Sequence, residues 1–252
     1  MNESSFFLSA DWPAPAPVRA GVTLRHGGHS VAPYASFNLG NHTGDEPQAV
    51  AANRARLREA LSLSQEPAWL TQVHGTYVVA AGEPGAAPAD ASVAHAADDA
   101  HAVCAVLTAD CLPVLFCDTD ATCWGAAHAG WRGLAAGVLE ATIARLAVTP
   151  ARLLAWLGPA IGPTVFEVGP EVRAAFCAQH PEDAAAFTAG TRQGKYLADI
   201  YQLARRRLRR AGITAVYGGG LCTVSTPERF YSYRRDGRTG RMASLVWRLG
   251  SG

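Results

Sequence analysis

Short apolar runs, separated by polar or proline-containing breaks, characterise the middle of the chain. The runs AVCAVLTA (102–109), PVLFCD (113–118) and CWGAAHA (123–129) predict three buried strands. RLLAWLG (152–158) predicts a fourth. Near the C-terminus, FYSYRR and RMASLVWRL flank DGRTG, a pattern typical of a β-hairpin.

Apolar residues recur at helical spacing in three other segments. LAAGVLEATIARLA (134–147) stops before Pro150, and GPEVRAAFCAQH (169–180) carries Pro170 near its first turn. DIYQLARRRLRRAGI (199–213) contains the one basic run of the chain. Its arginines fill the positions between apolar residues, which favours a solvated helix face over an anion-binding or nucleic-acid-binding patch.

Strands and helices alternate throughout, so the expected fold class is α/β, or mixed α+β, with mixed β-sheets flanked by helices. We expect a single catalytic domain over residues 1–252, with 1–19 poorly structured or peripheral. The Ala-, Pro-, Gly- and Asp-rich stretch 82–102 lacks apolar periodicity and is expected to form a long surface loop without a functional role.

Composition and charge narrow the class of protein. With 252 residues, 49% of them hydrophobic, the chain can bury a substantial core. A formal net charge of +1 gives no general attraction to nucleic acid or to an anionic membrane. We find no signal peptide and no apolar run long enough to span a membrane. The six cysteines form no CxxC pair, which favours reduced thiols and a cytoplasmic location.

Three candidate metal ligands lie where buried strands give way to bends. They are His74 in TQVHG, Cys111 in LTADCLPVLF and His128 at the end of CWGAAHA. Two imidazoles and one thiolate suit zinc, and three protein ligands leave one position open, as in catalytic sites. The spacing carries no local signature, and an isolated cysteine or histidine in apolar sequence is more often a buried core residue.

A series of motifs, in chain order, resembles that of the laccase-domain family, whose members are variously named multicopper polyphenol oxidase, purine nucleoside phosphorylase and peptidoglycan editing factor. The similarity runs from about residue 20 to the C-terminus. The motifs are RHGGHS, YASFNLGNHTGD, TQVHG, TADCLPVLF, AAHAGWRG, GPAIGP with FEVG, and FYSYRRDGRTGRMASLVW. The resemblance implies that His74, Cys111 and His128 are catalytic metal ligands, with zinc the favoured ion and copper an alternative occupant.

Of the activities associated with the family, the resemblance favours phosphorolysis of adenosine, inosine or methylthioadenosine, together with adenosine deamination. The expected partners are therefore a small purine nucleoside and phosphate. Multicopper oxidation would need many more imidazoles, usually in His-x-His pairs, whereas this chain has eight histidines and no such pair. We therefore expect polyphenol oxidation only as a low-level, copper-dependent side reaction.

Substrate-binding candidates lie in glycine-containing loops. Arg25, Asn38 and Arg132 are the first choices for phosphate or ribose, although capping and charge-neutralising roles are open for them. His42 and Asp45 are further sugar-binding candidates for which a structural role is favoured. The remaining candidates are Arg234, Arg235 and Arg241 in the predicted hairpin, Trp131 as a packing residue, and Asp110 as either a hydrogen-bond partner of a metal-bound histidine or a turn cap.

Two other kinds of site stay open. Cys111 and His128 are also the pair that a thiol hydrolase acting on a peptidoglycan precursor would need. A structural zinc site would require a fourth protein ligand, for which Cys104 and Cys117 are the candidates closest to Cys111 along the chain.

Overall fold

The computed structural model describes residues 6–83 and 88–250. The strands are β1 (Phe7–Ser9), β2 (Val18–Thr23), β3 (Val78–Ala80), β4 (Ala91–His95), β5 (Val103–Thr108), β6 (Leu112–Asp118), β7 (Cys123–Ala129), β8 (Leu153–Leu157), β9 (Glu167–Val168), β10 (Phe187–Ala189), β11 (Tyr196–Ala198), β12 (Ala215–Gly218) and β13 (Met242–Arg248). The helices are α1 (Pro47–Ala60), α2 (Trp131–Ala136), α3 (Val138–Leu146), α4 (Pro170–Cys177), α5 (Ile200–Arg210) and α6 (Tyr233–Asp236).

The strands form three sheets. A six-stranded sheet has the order β12-β8-β6-β7-β4-β3, a four-stranded sheet has the order β1-β2-β13-β5, and β10-β11-β9 form a small third sheet. Pairing is parallel between β3 and β4 and between β12 and β8, and antiparallel between β6 and β7. The predicted fold class, mixed sheets flanked by helices, is confirmed.

The two large sheets pack face to face, and helices cover their outer faces. Alternate residues of a strand point to opposite faces, so each sheet contributes to two clusters. Val106 and Met242 of the four-stranded sheet pack with Leu115 and Trp124 of the six-stranded sheet. The outer face of the six-stranded sheet packs against α2–α5, and the outer face of the four-stranded sheet packs against Leu57 of α1. Within the described residues, no helix is long and apolar enough to cross a membrane.

The expectation of a surface loop over 82–102 is wrong for residues 89–95, whereas 96–102 are irregular as expected. Residues 91–95 form β4, which lies between β3 and β7, and 89–94 are buried. Small residues suit this position because both faces of the strand are covered. Asp90, directly before β4, is fully buried. Residues 84–87, which also fall in the expected loop, lie outside the described residues.

The predicted C-terminal hairpin is also wrong. Residues 233–236 form α6, capped at its start by the Ser232 hydroxyl, which accepts a hydrogen bond from the Arg235 amide. Only the second half of the pattern is a strand, β13, and its partners are β2 and β5. Because those partners lie far away along the chain, local turn chemistry does not reveal the pairing.

The arginine run of α5 is less solvated than expected. Arg207 is buried and pairs with Glu140, with 2.9 Å between Nε and Oε1. Arg210 makes two hydrogen bonds to the buried carboxylate of Asp183. These pairs tie α5 to its neighbours, whereas Arg209 is exposed as expected. The predicted helix over 134–147 is divided into α2 and α3 by Gly137, which adopts a φ of +107°.

The described part of the segment expected to be poorly structured or peripheral, residues 6–19, lies at the edge of the four-stranded sheet. Phe7–Ser9 form β1, which pairs antiparallel with β2. The Asp11 carboxylate accepts a hydrogen bond from the indole nitrogen of the buried Trp156 at 2.7 Å. Satisfying that buried donor ties the segment to the space between the two large sheets.

Candidate metal centre and its cavity

His74, Cys111 and His128 converge at one edge of the six-stranded sheet. His128 lies near the end of β7, Cys111 directly precedes β6, and His74 lies in the loop before β3. One potential ligand atom from each residue lies within 4.8 Å of the others. The Cys111 Sγ atom is 3.7 Å from His74 Nε2, and the two imidazole rings have centroids 4.8 Å apart. We call this group the metal trio.

A buried carboxylate organises the trio. Asp90 Oδ1 accepts a hydrogen bond from His128 Nδ1 at 2.7 Å, which leaves His128 Nε2 to face the other two ligands. Asp90 also accepts hydrogen bonds from the backbone amides of Val73, His74 and Gly75 at 3.1, 2.9 and 2.6 Å. Burial alone would raise the pKa of Asp90, but these hydrogen bonds and the His128 charge lower it. Asp90 therefore stays ionised and positions two of the three ligands.

The turns that carry His74 and Cys111 have unusual backbone conformations. His74 has a φ of +61°, and Asp110, directly before Cys111, has a φ of +101°. Such conformations cost roughly 1–3 kcal/mol for residues other than glycine. The Asp90 carboxylate holds the first turn. The Asp110 carboxylate holds the second by accepting hydrogen bonds from the Thr223 hydroxyl and the Arg234 amide, both at 2.6 Å.

The trio is electrostatically coupled. Burial disfavours the Cys111 thiolate, but the charges and hydrogen bonds of His128 and His74 outweigh it and lower the pKa of Cys111 to about 6. Burial likewise disfavours the His128 cation, yet Cys111 and Asp90 raise the pKa of His128 to about 9. The thiolate is the form of cysteine that binds metals and acts as a nucleophile.

The chain approaches the trio closely at Gly130. A Cβ atom at this position would lie 2.8 Å from His74 Cδ2 and 3.1 Å from Cys111 Sγ. Helix α2 starts at the next residue, Trp131, so the glycine lets the HAGWRG turn pass directly over two ligands.

The donor set fits a metal ion. Two imidazole nitrogens and one thiolate are ligands that zinc prefers, and copper can also bind them. Among residues 6–83 and 88–250, the trio is the one group of three or more His, Cys, Asp or Glu side chains arranged to hold a metal. The Sγ atoms of Cys104 and Cys117 are not part of it, since both residues lie fully buried in β5 and β6. The described residues therefore offer three ligands, the number typical of catalytic zinc sites, rather than the four of a structural site.

A cavity of about 410 Å³ opens over the trio. Burial lowers the pKa of Arg241, which lines this cavity, and the charges of Cys111 and Asp110 oppose that effect. Partial burial and the charges of Arg241 and Arg54 lower the pKa of His42, which also lines it. Beyond the trio, the walls are formed by His42, Gln72, Leu107, Thr108, Ala109, Tyr233 and Arg241.

The three residues first chosen for substrate binding do not line this cavity. Asn38 is fully buried, where its Oδ1 atom accepts hydrogen bonds from the Gly40 and Arg241 amides. Arg25 donates to the carbonyls of Ala35 and Pro227. The Arg132 guanidinium lies 4.5 Å from the centroid of the Trp131 ring. The roles of these residues in substrate binding stay predictions, and the contacts of Asn38 favour a structural role.

Of the other candidates for substrate binding, some line the cavity and some have structural contacts elsewhere. His42 and Arg241 line the cavity, whereas the Asp45 carboxylate accepts hydrogen bonds from Asn38 Nδ2 and the Glu46 amide. Arg234 and Arg235 bond backbone carbonyls elsewhere. Asp110 does not contact a ligand histidine through its carboxylate, because those oxygens bind Thr223 and Arg234. Trp131 packs against the main core, as expected.

Sequence reasoning missed Asp90 and Tyr233. Asp90 lies in a segment interpreted as a loop, and the one available signal was an acidic residue before the strand-like ASVAH. Tyr233 was assigned to a hairpin strand. Tyr233 is 61% exposed and lines the cavity.

Fold and site together define a mixed α/β protein whose described residues include a His2Cys group able to hold a metal ion. A family model described as multi-copper polyphenol oxidoreductase laccase matches residues 19–249. The chain belongs to this family.

Relatives and solved structures agree with that membership. A purine nucleoside phosphorylase of Pseudomonas aeruginosa is 58% identical over 96% of this chain and 98% of its own length, and purine nucleoside phosphorylase YfiH of Escherichia coli is 54% identical over 96% and 99%. A Neisseria meningitidis protein has a TM-score of 0.91 at 55% identity, covering 97% of this chain and 99% of its own. YlmD from Geobacillus stearothermophilus has a TM-score of 0.89 at 32% identity, covering 99% and 98%.

Proposed function

We propose that this protein is a zinc-dependent purine nucleoside phosphorylase, which cleaves adenosine, inosine or methylthioadenosine with phosphate. The observation that carries the proposal is the metal trio in a cavity that is also lined by the exposed Tyr233 and the partly buried Arg241. The names of the Pseudomonas and Escherichia relatives support it.

The chain supplies distinct parts of such a site. His74, Cys111 and His128 would hold the metal, and Asp90 keeps His128 in the tautomer and orientation that ligation needs. Zinc held by these residues would supply Lewis acidity toward a substrate oxygen or water. The Tyr233 ring offers a stacking surface for a purine, and the Arg241 guanidinium offers positive charge toward an anion.

The reaction proposed is a glycosyl transfer. An oxygen of hydrogen phosphate forms a bond to C1′ of the ribose while the bond from C1′ to the purine nitrogen breaks. The bonding electron pair leaves with the purine, and the proton of hydrogen phosphate ends on the purine nitrogen. The products are the free base and ribose 1-phosphate, or 5-methylthioribose 1-phosphate when the substrate is methylthioadenosine. The transition state has oxocarbenium character, so the cavity contributes chiefly by holding phosphate in line with C1′.

Adenosine deamination is a second candidate activity. It needs water delivered to C6 of the purine, and a three-ligand site with an open position suits that chemistry. Hydrolysis of a peptidoglycan precursor by Cys111 and His128 is the alternative from a different class. The lowered pKa of Cys111 favours this reading in the metal-free protein.

The test is product identification. Zinc-loaded protein is incubated with adenosine, with and without phosphate, and the products are identified by mass spectrometry. Adenine with ribose 1-phosphate, formed only with phosphate and lost in His128→Ala, is the expected result. His101→Ala removes an exposed histidine outside the trio and is the matched control. Inosine formed without phosphate would indicate deamination, and unchanged adenosine in both samples would contradict the proposal.

A further inference from the structure

A second cavity, of about 530 Å³, adjoins the one over the trio. The two share three wall residues, namely His42, Tyr233 and Arg241. The second cavity adds Arg238 and Thr239, and we call the space bounded by Arg238, Thr239 and Arg241 the arginine pocket. Shared walls mean that a ligand in the arginine pocket lies next to one that occupies the cavity over the trio.

The arginine pocket contains two guanidinium groups that are not paired with a carboxylate of the described residues. Within residues 6–83 and 88–250, neither Arg238 nor Arg241 forms an ion pair with a carboxylate, whereas Arg207 and Arg210 of α5 both do. The carboxylate oxygens of Asp45, on the same loop as His42, already accept hydrogen bonds from Asn38 and Glu46. Two neighbouring guanidinium groups that form no ion pair attract an anion.

Hydrogen bonds to the protein hold both guanidinium groups in place, and each group has N–H donors that are not used in these bonds. Arg241 Nη1 donates to the carbonyls of Thr239 and Gly240 at 2.9 and 3.0 Å. Arg238 Nε donates to the Tyr34 hydroxyl, and its Nη2 donates to the Gly44 carbonyl. In the part of the chain that the structure describes, Nε and Nη2 of Arg241 and Nη1 of Arg238 have no protein acceptor.

A buried hydroxyl adds to this set. Thr239 is 2% exposed, and its Oγ1 atom has no hydrogen-bond partner among the described residues. An unsatisfied buried polar atom is unfavourable, so a ligand that reaches it gains a hydrogen bond. Planar guanidinium groups with free N–H donors match the oxygens of a phosphate group.

We propose that the arginine pocket binds a phosphate group, and that this group is the inorganic phosphate consumed in phosphorolysis. The assignment rests on the proposed function. It places phosphate beside the ribose of a nucleoside whose base lies in the cavity over the trio, so a phosphate oxygen can form the new bond to C1′ as the bond to the purine nitrogen breaks.

Two arginine variants test the pocket. Arg238→Gln alters an exposed side chain, and Arg241→Gln keeps the backbone amide that donates to Asn38. Arg209→Gln, an exposed arginine at the end of α5, is the matched control. The KM for phosphate is measured at saturating adenosine. Binding of inorganic phosphate to the zinc-loaded protein without nucleoside is measured in parallel by phosphorus NMR.

We expect each pocket variant to raise the KM for phosphate and weaken phosphate binding by about ten-fold or more, as loss of a charged hydrogen bond implies. The KM for adenosine should change by less than three-fold, and Arg209→Gln should match the unaltered protein. If the protein phosphorolyses adenosine but both variants keep its phosphate KM, the pocket assignment is wrong and the proposed function stands.

If no phosphorolysis occurs but phosphate binding is lost in both variants, the pocket stands as a phosphate site and the proposed function fails.

A separate measurement of adenosine 5′-monophosphate binding tests whether the phosphate group belongs to inorganic phosphate or to a nucleotide. Binding of this nucleotide that is weakened in both variants, while binding of inorganic phosphate is unchanged, would overturn the assignment to inorganic phosphate.

Discussion

Asp90 and His128 form a buried hydrogen bond of 2.7 Å between a carboxylate oxygen and an imidazole nitrogen. The same carboxylate binds three successive amides of the His74 turn. The Asp90 side chain thus positions two candidate metal ligands, His74 and His128, which are 54 residues apart in sequence. The carboxylate is therefore as much a part of the candidate site as the ligands that it orients.

Replacement of this carboxylate should weaken metal binding. We expect Asp90→Asn to lower zinc affinity by about 10–100-fold, because the amide accepts fewer hydrogen bonds and no longer fixes His128. Asp118→Asn is the matched control, since Asp118 is equally buried but binds Thr122, Cys123 and Arg152. Competition with a chelator measures the affinity. Equal losses of affinity in the two variants would contradict a specific role for Asp90.

A side chain at Gly130 should also weaken metal binding, because the backbone there passes directly over two of the ligands. The methyl group of Gly130→Ala would contact His74 and Cys111 at 2.8 and 3.1 Å, so one ligand must move. Metal sites tolerate displacements of only about 0.2 Å, and we expect zinc affinity to fall at least ten-fold. Gly220→Ala is the control, because nothing lies within 4 Å of its Cβ position and it carries only the strain of its positive φ. Unchanged zinc affinity in Gly130→Ala would show that the turn relaxes.

Alkylation of the metal-free protein should depend on pH through Cys111. With its pKa lowered to about 6, the thiolate forms as pH rises through that value, so the iodoacetamide rate should rise between about pH 5 and 7 and then level off. Burial raises the pKa values of Cys104, Cys117 and Cys123 to about 12, so these thiols should stay unreactive. Peptide mapping by mass spectrometry assigns each site.

Two further alkylation experiments test why the pKa of Cys111 is lowered. His128→Ala removes the largest opposing charge and should shift the Cys111 midpoint upward. Zinc should protect Cys111, because a ligated sulfur is a poor nucleophile. A Cys111 midpoint near that of an ordinary thiol in the unaltered protein would contradict the proposed electrostatics of the trio.

Tyr233 should contribute to nucleoside binding. Stacking of a base on an aromatic ring is worth roughly 1–3 kcal/mol, so Tyr233→Ala should raise the KM for adenosine by about ten-fold. Tyr233→Phe keeps the ring and should change that KM by less than three-fold. Steady-state kinetics at saturating phosphate measures both values, and an unchanged KM in Tyr233→Ala would exclude stacking.

The sequence predicted the parts of the fold that depend on local pattern. The central strands β5 to β8 follow from short apolar runs, and the ligand trio follows from strand ends together with the family motifs. Those motifs were sufficient to predict that His74 lies close to Cys111 and His128, although the three residues are far apart in sequence.

The parts that failed depend on tertiary contacts. The Ala-rich β4 is a strand because β3 and β7 cover both its edges, which composition does not reveal. Asp90 was missed with it. Residues 233–236 form a helix because Ser232 caps it, and β13 pairs with strands remote in sequence. For Asn38 the sequence left substrate binding and a structural role equally open, because a buried asparagine that binds backbone amides has the same sequence signature as a substrate ligand.

X-ray absorption of the zinc-loaded protein tests the central claim most directly, namely that one metal ion is held by His74, Cys111 and His128 with a position left open. The account predicts one zinc per chain, with one sulfur at about 2.3 Å and nitrogen or oxygen ligands at about 2.0–2.1 Å. The sulfur contribution should disappear in Cys111→Ser. Two sulfurs per zinc, or a spectrum unchanged in Cys111→Ser, would contradict it.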